Sequence, residues 1–270
     1  MFKTQLKTLV LATALLGSSA SMAATLTNSA GSFNNWGGFD WAQNGTAVID
    51  GFNPLALNDT FDLTYWANAV SVTKLGGGSI VGATIPLLLN TYEYTVQVNM
   101  NESSTCNAFA FPGGPCADAS FQVNSGSFNI WYDTTVDSNM VTGAGVTDGI
   151  LLISGTISGQ PSGGFNILTG GTATLDAMIT YTNSSYISPS LLTSNATTTL
   201  QVGSTQTNWT APSSMPGAAG GTVALPGGSF ALQADGNQAF TATTVPEPGT
   251  LALMGAALAG LGLSRRRKSA

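Results

Sequence analysis

The chain contains no histidine. Between its two ends it also has no arginine and one lysine, Lys74. Without histidine there is no common general base, no Ser-His-Asp or Cys-His arrangement, and none of the usual zinc or copper ligands. With so few cations there is almost nothing to hold a phosphate or a carboxylate substrate. Chemistry that needs only two carboxylates, as in glycosidases and aspartic proteases, is what these absences leave open. The expectation is therefore a non-catalytic protein, with a carboxylate-only glycosidase as the remaining enzymatic reading. Cysteine is scarce as well, with Cys106 and Cys116 the two present. Their spacing fits neither a redox CxxC pair nor a metal site.

The charge that is present lies unevenly. Six of the seven basic residues sit in the terminal segments: Lys3, Lys7, Arg265, Arg266, Arg267 and Lys268. All thirteen acids lie between Asp40 and Glu247. Thirteen acids less one base leave the central body near −12, against −6 for the whole chain. Such a body repels nucleic acid and anionic lipid. Its compatible partners are divalent cations and neutral sugars.

Both ends read as targeting segments. Lys3 and Lys7 precede a short apolar run from Leu9 to Gly17, and Ser21-Met22-Ala23 supplies small residues for cleavage after Ala23 or Ala24. Residues 1–24 are read as a signal peptide. Near the other end stands Val245-Pro246-Glu247-Pro248, whose prolines lack the N–H a helix interior needs. An apolar stretch of fourteen residues follows, 250–263, and then Arg265, Arg266, Arg267 and Lys268. As a helix that stretch is about 21 Å long at ~1.5 Å per residue. The hydrocarbon core is about 30 Å thick. A span this short suits transient retention better than a permanent anchor. The basic cluster stays cytoplasmic by the positive-inside rule, leaving the body on the far side.

The order of turn, short helix and basic tail resembles the PEP-CTERM sorting signal of Gram-negative bacteria. The resemblance covers residues 245–270, with the motif at 245–248, the transmembrane part at 250–263 and the basic stop at 265–268. It implies an exosortase as processing partner, a transient inner-membrane intermediate, and a final place at the cell surface or in an extracellular matrix with exopolysaccharide. The body is also similar to flocculation-associated PEP-CTERM proteins through Phe39–Ala47, Asp59–Phe61, Thr91–Tyr94 and Phe128–Asp133. That similarity implies a role in cell aggregation, flocculation or biofilm, and carries over no catalytic residue.

The body itself reads as all-β. Tyr92, Tyr94, Val96, Val98 and Met100 alternate with polar residues, as do Phe128, Ile130 and Tyr132, then Ala173 to Tyr181, and Phe61, Leu63 and Tyr65. Period-two alternation rich in β-branched and aromatic residues marks strands. An antiparallel β-sandwich or jelly roll over 25–210 is expected. A Gly/Pro/Ser-rich linker and a final strand, Ser229–Thr241, are expected over 211–244. One hairpin joins Thr91–Asn101 to Ala119–Tyr132, with Gly126 marking a bulge or break. Cys106 and Cys116 are read as a disulfide across its Pro-Gly-Gly-Pro tip, natural in an exported protein.

Two groups of side chains are candidate contacts. Trp36 and Trp41 lie in Asn34–Trp41, a composition suited to stacking on sugar, although closing one end of the core is the preferred reading. Trp66 and Trp131 fall on the polar phase of their strands and are expected to be exposed, the better carbohydrate contacts. Asp133, Asp137 and Asp148 share one loop-rich region and are candidate calcium ligands, with solvated turn aspartates as the plainer alternative. No other cofactor is expected.

Overall fold

A computed structural model describes residues 24–241, apart from 77, 79, 81–90, 159–161, 167, 193 and 204–208. The signal peptide, except for Ala24, and the sorting segment fall outside the described residues. So do Val245 to Pro248 and Arg265 to Lys268. Among the described residues no helix is long and apolar enough to cross a membrane.

The strands are β1 (Ala24–Asn28), β2 (Gly31–Trp41), β3 (Gly45–Asp50), β4 (Asn58–Lys74), β5 (Glu93–Phe109), β6 (Cys116–Asp133) and β7 (Ile150–Ser158). They continue as β8 (Ser162–Asn166), β9 (Gly170–Thr182), β10 (Ile187–Ser188), β11 (Asn195–Val202), β12 (Ser214–Pro216), β13 (Thr222–Ala224) and β14 (Phe230–Thr241). All the strand pairings are antiparallel, and the body is sandwich-like, as its alternation predicts. Each expected alternating segment lies in a strand: β4, β5, β6 or β9.

The pairings add something the alternation did not reveal. β4, β5 and β6 pair in sequence order. β7 and β8 follow one another in line, filling the row between β6 and β9. β11 joins β9 to β14. β14 then pairs with β2 and β3, which together form the row leading back to β4. The main sheet thus closes on itself in eight rows, up and down, and leaves no long free edge around the ring. Closure removes the unpaired N–H and C=O rows that make an exposed edge a site of aggregation. It also explains Gly38. A Cβ there would collide with the carbonyl of Gln238, where β2 is squeezed between β14 and β4.

The β5–β6 hairpin matches expectation, down to the disulfide between Cys106 and Cys116, whose Cα atoms are 5.7 Å apart. The irregularity falls at Asn124, two residues from Gly126. Asn101 pairs with Ser125, but Glu102 pairs with Val123. The extra residue switches which side chains face in. Phe121 and Val123 point inward before it, and Phe128, Ile130 and Tyr132 after it, so the bulge keeps both apolar sets in one core.

The two ends of the ring differ. At one end a cluster of rings fills the interior: Trp36, Phe39, Tyr94, Tyr132 and Phe240, with neighbouring centroids 5.1–5.4 Å apart. β1 and β10 lie across this end, outside the ring. Asn28 Nδ2 donates to the Tyr94 hydroxyl at 2.8 Å and fixes β1 in place. The opposite end carries the 51–57 loop, the disulfide tip and the turn at residues 168–169. β14 is a closing strand of the ring, so the compact body runs to Thr241 and does not stop at 210. The stretch expected as linker contains a small β12–β13 hairpin.

Candidate functional site

The three aspartates singled out in the sequence do meet. Asp133 ends β6, Asp137 lies in the loop that follows, and Asp148 immediately precedes the Gly149 that leads into β7. One carboxylate oxygen from each lies within 4.8 Å of the others. The loop is held by Glu93 of β5, whose buried carboxylate accepts the amides of Asp137 and Ser138, at 3.2 and 2.9 Å, and the Ser138 hydroxyl. A second wall comes from far along the chain. Gly220, in a 3-10 turn with φ +74°, leaves the space that the Asp148 carboxylate occupies. Gly145 N–H donates to Gly220 O at 3.0 Å, and Gly220 N–H to Thr147 Oγ1 at 2.9 Å. Asp137 and Asp148 are exposed, but partial desolvation first, and then the charges of Asp137 and Asp133, push the Asp148 carboxyl above its ordinary value. Like charges this close resist joint ionisation. The donor set, all carboxylate oxygen, is the kind that hard divalent cations take.

The tryptophans are placed differently from one another. Trp36 and Trp41 are buried in the core, in keeping with the preferred reading. Trp131 is half-buried on the outer face of β6. The expectation that Trp66 is exposed is corrected: it is fully buried. It does point to the outside of the ring, as its phase requires, but two segments cover it there. Residues 137–149 and 209–225 bring Met140, Val146, Met215 and Leu225 over Trp66 and Val48. Polar contacts hold this cover down. Trp66 Nε1 donates to Met140 O at 3.1 Å, Thr95 Oγ1 to Val146 O at 2.6 Å, and Trp209 Nε1 to Thr46 Oγ1 at 3.1 Å. The covering segments carry no strand alternation, so no sequence signal links them to this face.

Beyond the cover, the outer face of β4, β5 and β6 is bare and almost entirely amide, hydroxyl and carboxylate. Asn101 Nδ2 donates to Asp62 Oδ1 at 2.8 Å, Asn124 Nδ2 to Asn101 Oδ1 at 2.9 Å, and Ser103 Oγ to Asn124 Oδ1 at 3.0 Å. Thr64 Oγ1 reaches Asn99 Oδ1 and Thr105 Oγ1 reaches Asn58 Oδ1, each at 3.0 Å. Cross-strand pairs of this kind stabilise a sheet by a few tenths of a kcal/mol to about 1 kcal/mol each. Their unused donors and acceptors face solvent in rows. Sequence reading also passed over Glu102. It sits on the inward phase of β5, is 5% exposed, and burial alone pushes its carboxyl up to about 7.

Body and tail together define an exported β-protein that carries its own sorting label. The label is specific: residues 244–268 match the family model for the PEP-CTERM protein-sorting motif. The chain thus carries a PEP-CTERM protein-sorting motif, which implies export, sorting at a membrane and an exosortase as processing partner. No curated protein and no solved structure matches the chain.

Proposed function

We propose that the body is a non-catalytic surface or matrix protein that binds exopolysaccharide and promotes cell aggregation, as in flocs or biofilm. The observation that carries this reading is the bare outer face of β4–β6. Its rows of Asn, Ser, Thr and Asp match the alternating donors and acceptors of sugar hydroxyls. The near absence of cations fits neutral or cation-bridged glycans better than bare polyanions. The acidic trio adds a means of bridging. A divalent ion such as calcium held by Asp133, Asp137 and Asp148 would relieve their repulsion and leave coordination positions for a glycan carboxylate or a second copy.

The test is co-sedimentation of the purified protein with exopolysaccharide from the same cells. Asn99→Leu with Asn101→Leu, both on the outer face of β5, are expected to weaken retention several-fold and leave the fold intact. Retention unchanged in that variant but lost in Trp131→Ala would transfer the contact to an aromatic platform. Loss of neither, with no change in aggregation on deleting the gene, would refute the reading.

A further inference from the structure

The end of the ring away from the aromatic cluster is not filled. Phe52, Phe61, Phe121, Phe165 and Phe230 help line a cavity of about 90 Å³ inside the strands. Phe52 stacks edge-on against both Phe61 and Phe230, at 5.4 and 6.1 Å, and the Phe230 ring is partly exposed at the mouth. An eight-stranded barrel is at the size where the interior either fills with side chains or keeps room for one small ligand. An apolar cavity of about 150 Å³ takes benzene. This smaller one suits a short unbranched alkyl chain.

Into this apolar space points one ionisable group, Glu102. It is 5% exposed, and among the described residues no hydrogen bond or ion pair reaches its carboxylate. A buried carboxyl without a partner is unfavourable by several kcal/mol when ionised. It is also a ready acceptor for a donor brought in from outside. The segments at this end of the ring also carry exposed apolar side chains: Leu55 and Leu57 of the 51–57 loop, Phe111 of the disulfide tip and Leu168 after β8, the last to 89%. Backbone bonds from Cys106 N–H to Leu57 O and from Cys116 N–H to Pro54 O, both 2.7 Å, hold the loop against the tip.

We propose that this end of the ring binds a small apolar amine, its alkyl chain passing between Phe52 and Phe230 and its head donating to Glu102. The chemistry of the head follows from charge. Lys74, the one base of the body, ends β4 at the opposite end of the ring. An anionic head would meet both Glu102 and the field of an acidic body. An alcohol would satisfy the acceptor without the gain in charge that an ammonium brings. The inference stands apart from the polysaccharide reading, which concerns the outer face.

The experiment is titration of the full chain at pH 7 with hexylamine, hexanol and hexanoate, followed by calorimetry and by the Glu102 carboxyl resonance. Hexylamine is expected to bind at least tenfold more tightly than hexanol, with hexanoate weaker than either, and to move the Glu102 resonance toward its ionised position. Glu102→Leu is expected to bring hexylamine and hexanol level. Should that variant not fold, Glu102→Gln, close in shape but uncharged, is expected to lose most of the amine preference. Ala173→Phe, which fills the cavity, is expected to abolish binding of all three. A preference for hexylamine over hexanol that survives both Glu102 substitutions would come from surface carboxylates and would overturn the proposal. So would equal binding of the three probes, or no binding at millimolar concentration.

Discussion

Glu102 continues an inward row that elsewhere reads Tyr94, Val96, Val98 and Met100. Its carboxyl is the group most out of place in that row. Because burial pushes its folded pKa up to about 7 from an ordinary 4.5, the folded state binds its proton more tightly than the unfolded state. The stabilising contribution of the protonated form is complete below pH 4.5. It is lost as pH rises through 7. A shift of this size corresponds to about 3 kcal/mol at ~1.4 kcal/mol per pH unit. Glu93 is raised by burial too, partly offset by its bonds from Ser138 and Asp137, and it acts in the same direction. Urea unfolding of Glu102→Gln should thus show a flatter stability profile between pH 4.5 and 7. At pH 8 the variant should exceed the unaltered protein by about 2–3 kcal/mol. At pH 4 the two should be nearly equal. Nothing in the residue type distinguished this glutamate from a solvated one. Its position in the inward phase could have, and the Asn124 bulge opposite it obscured that phase only on β6.

At the level of elements, strands were legible wherever one face meets water and the other the core. Tyr92 to Met100 and Phe128 to Tyr132 are of that kind. β3 and the second half of β2, from Trp36 to Trp41, were not, because their outward residues are covered as well. Trp66 shows the same effect: its polar phase was read correctly, but loops distant in sequence bury it. Trp66→Ala should remove the anchor of that cover and cost about 3–5 kcal/mol. Limited proteolysis should then cut within 137–149 or 209–225 before any strand of the ring. First cuts in the ring strands would show that the cover does not depend on Trp66. The disulfide belongs to a different element, the hairpin tip. Replacing Cys106 and Cys116 together by Ser should lower stability by about 2–3 kcal/mol, as expected for so short a loop. The ring pairings nearer Tyr94 and Tyr132 should keep their amide-exchange protection.

For the whole molecule, the governing quantity is charge. A body near −12 repels its own copies, because one lysine cannot offset thirteen carboxylates. If calcium bridges these proteins, aggregation of cells bearing them should weaken on chelation. It should return with calcium but not with sodium at equal ionic strength. Screening alone would let both salts work, since either shortens the Debye length. Asp137→Asn should reduce the calcium response, and lowering the pH should do the same, since Asp148 takes up a proton at higher pH than an ordinary aspartate. By itself the sequence determined the β class, the disulfide, the acidic body and the sorting label. Each of these is written locally: in alternation, in the spacing of two cysteines, in composition, or in a contiguous motif at 244–268. It also placed Asp133, Asp137 and Asp148 together, because one loop carries them. Only the tertiary structure decided that β14 closes the sheet onto β2 and β3, that Trp66 is covered, and that Glu102 stands alone in an apolar cavity. These depend on which strands become neighbours around the ring, and pairing partners far apart in the chain leave no mark in the pattern of either strand.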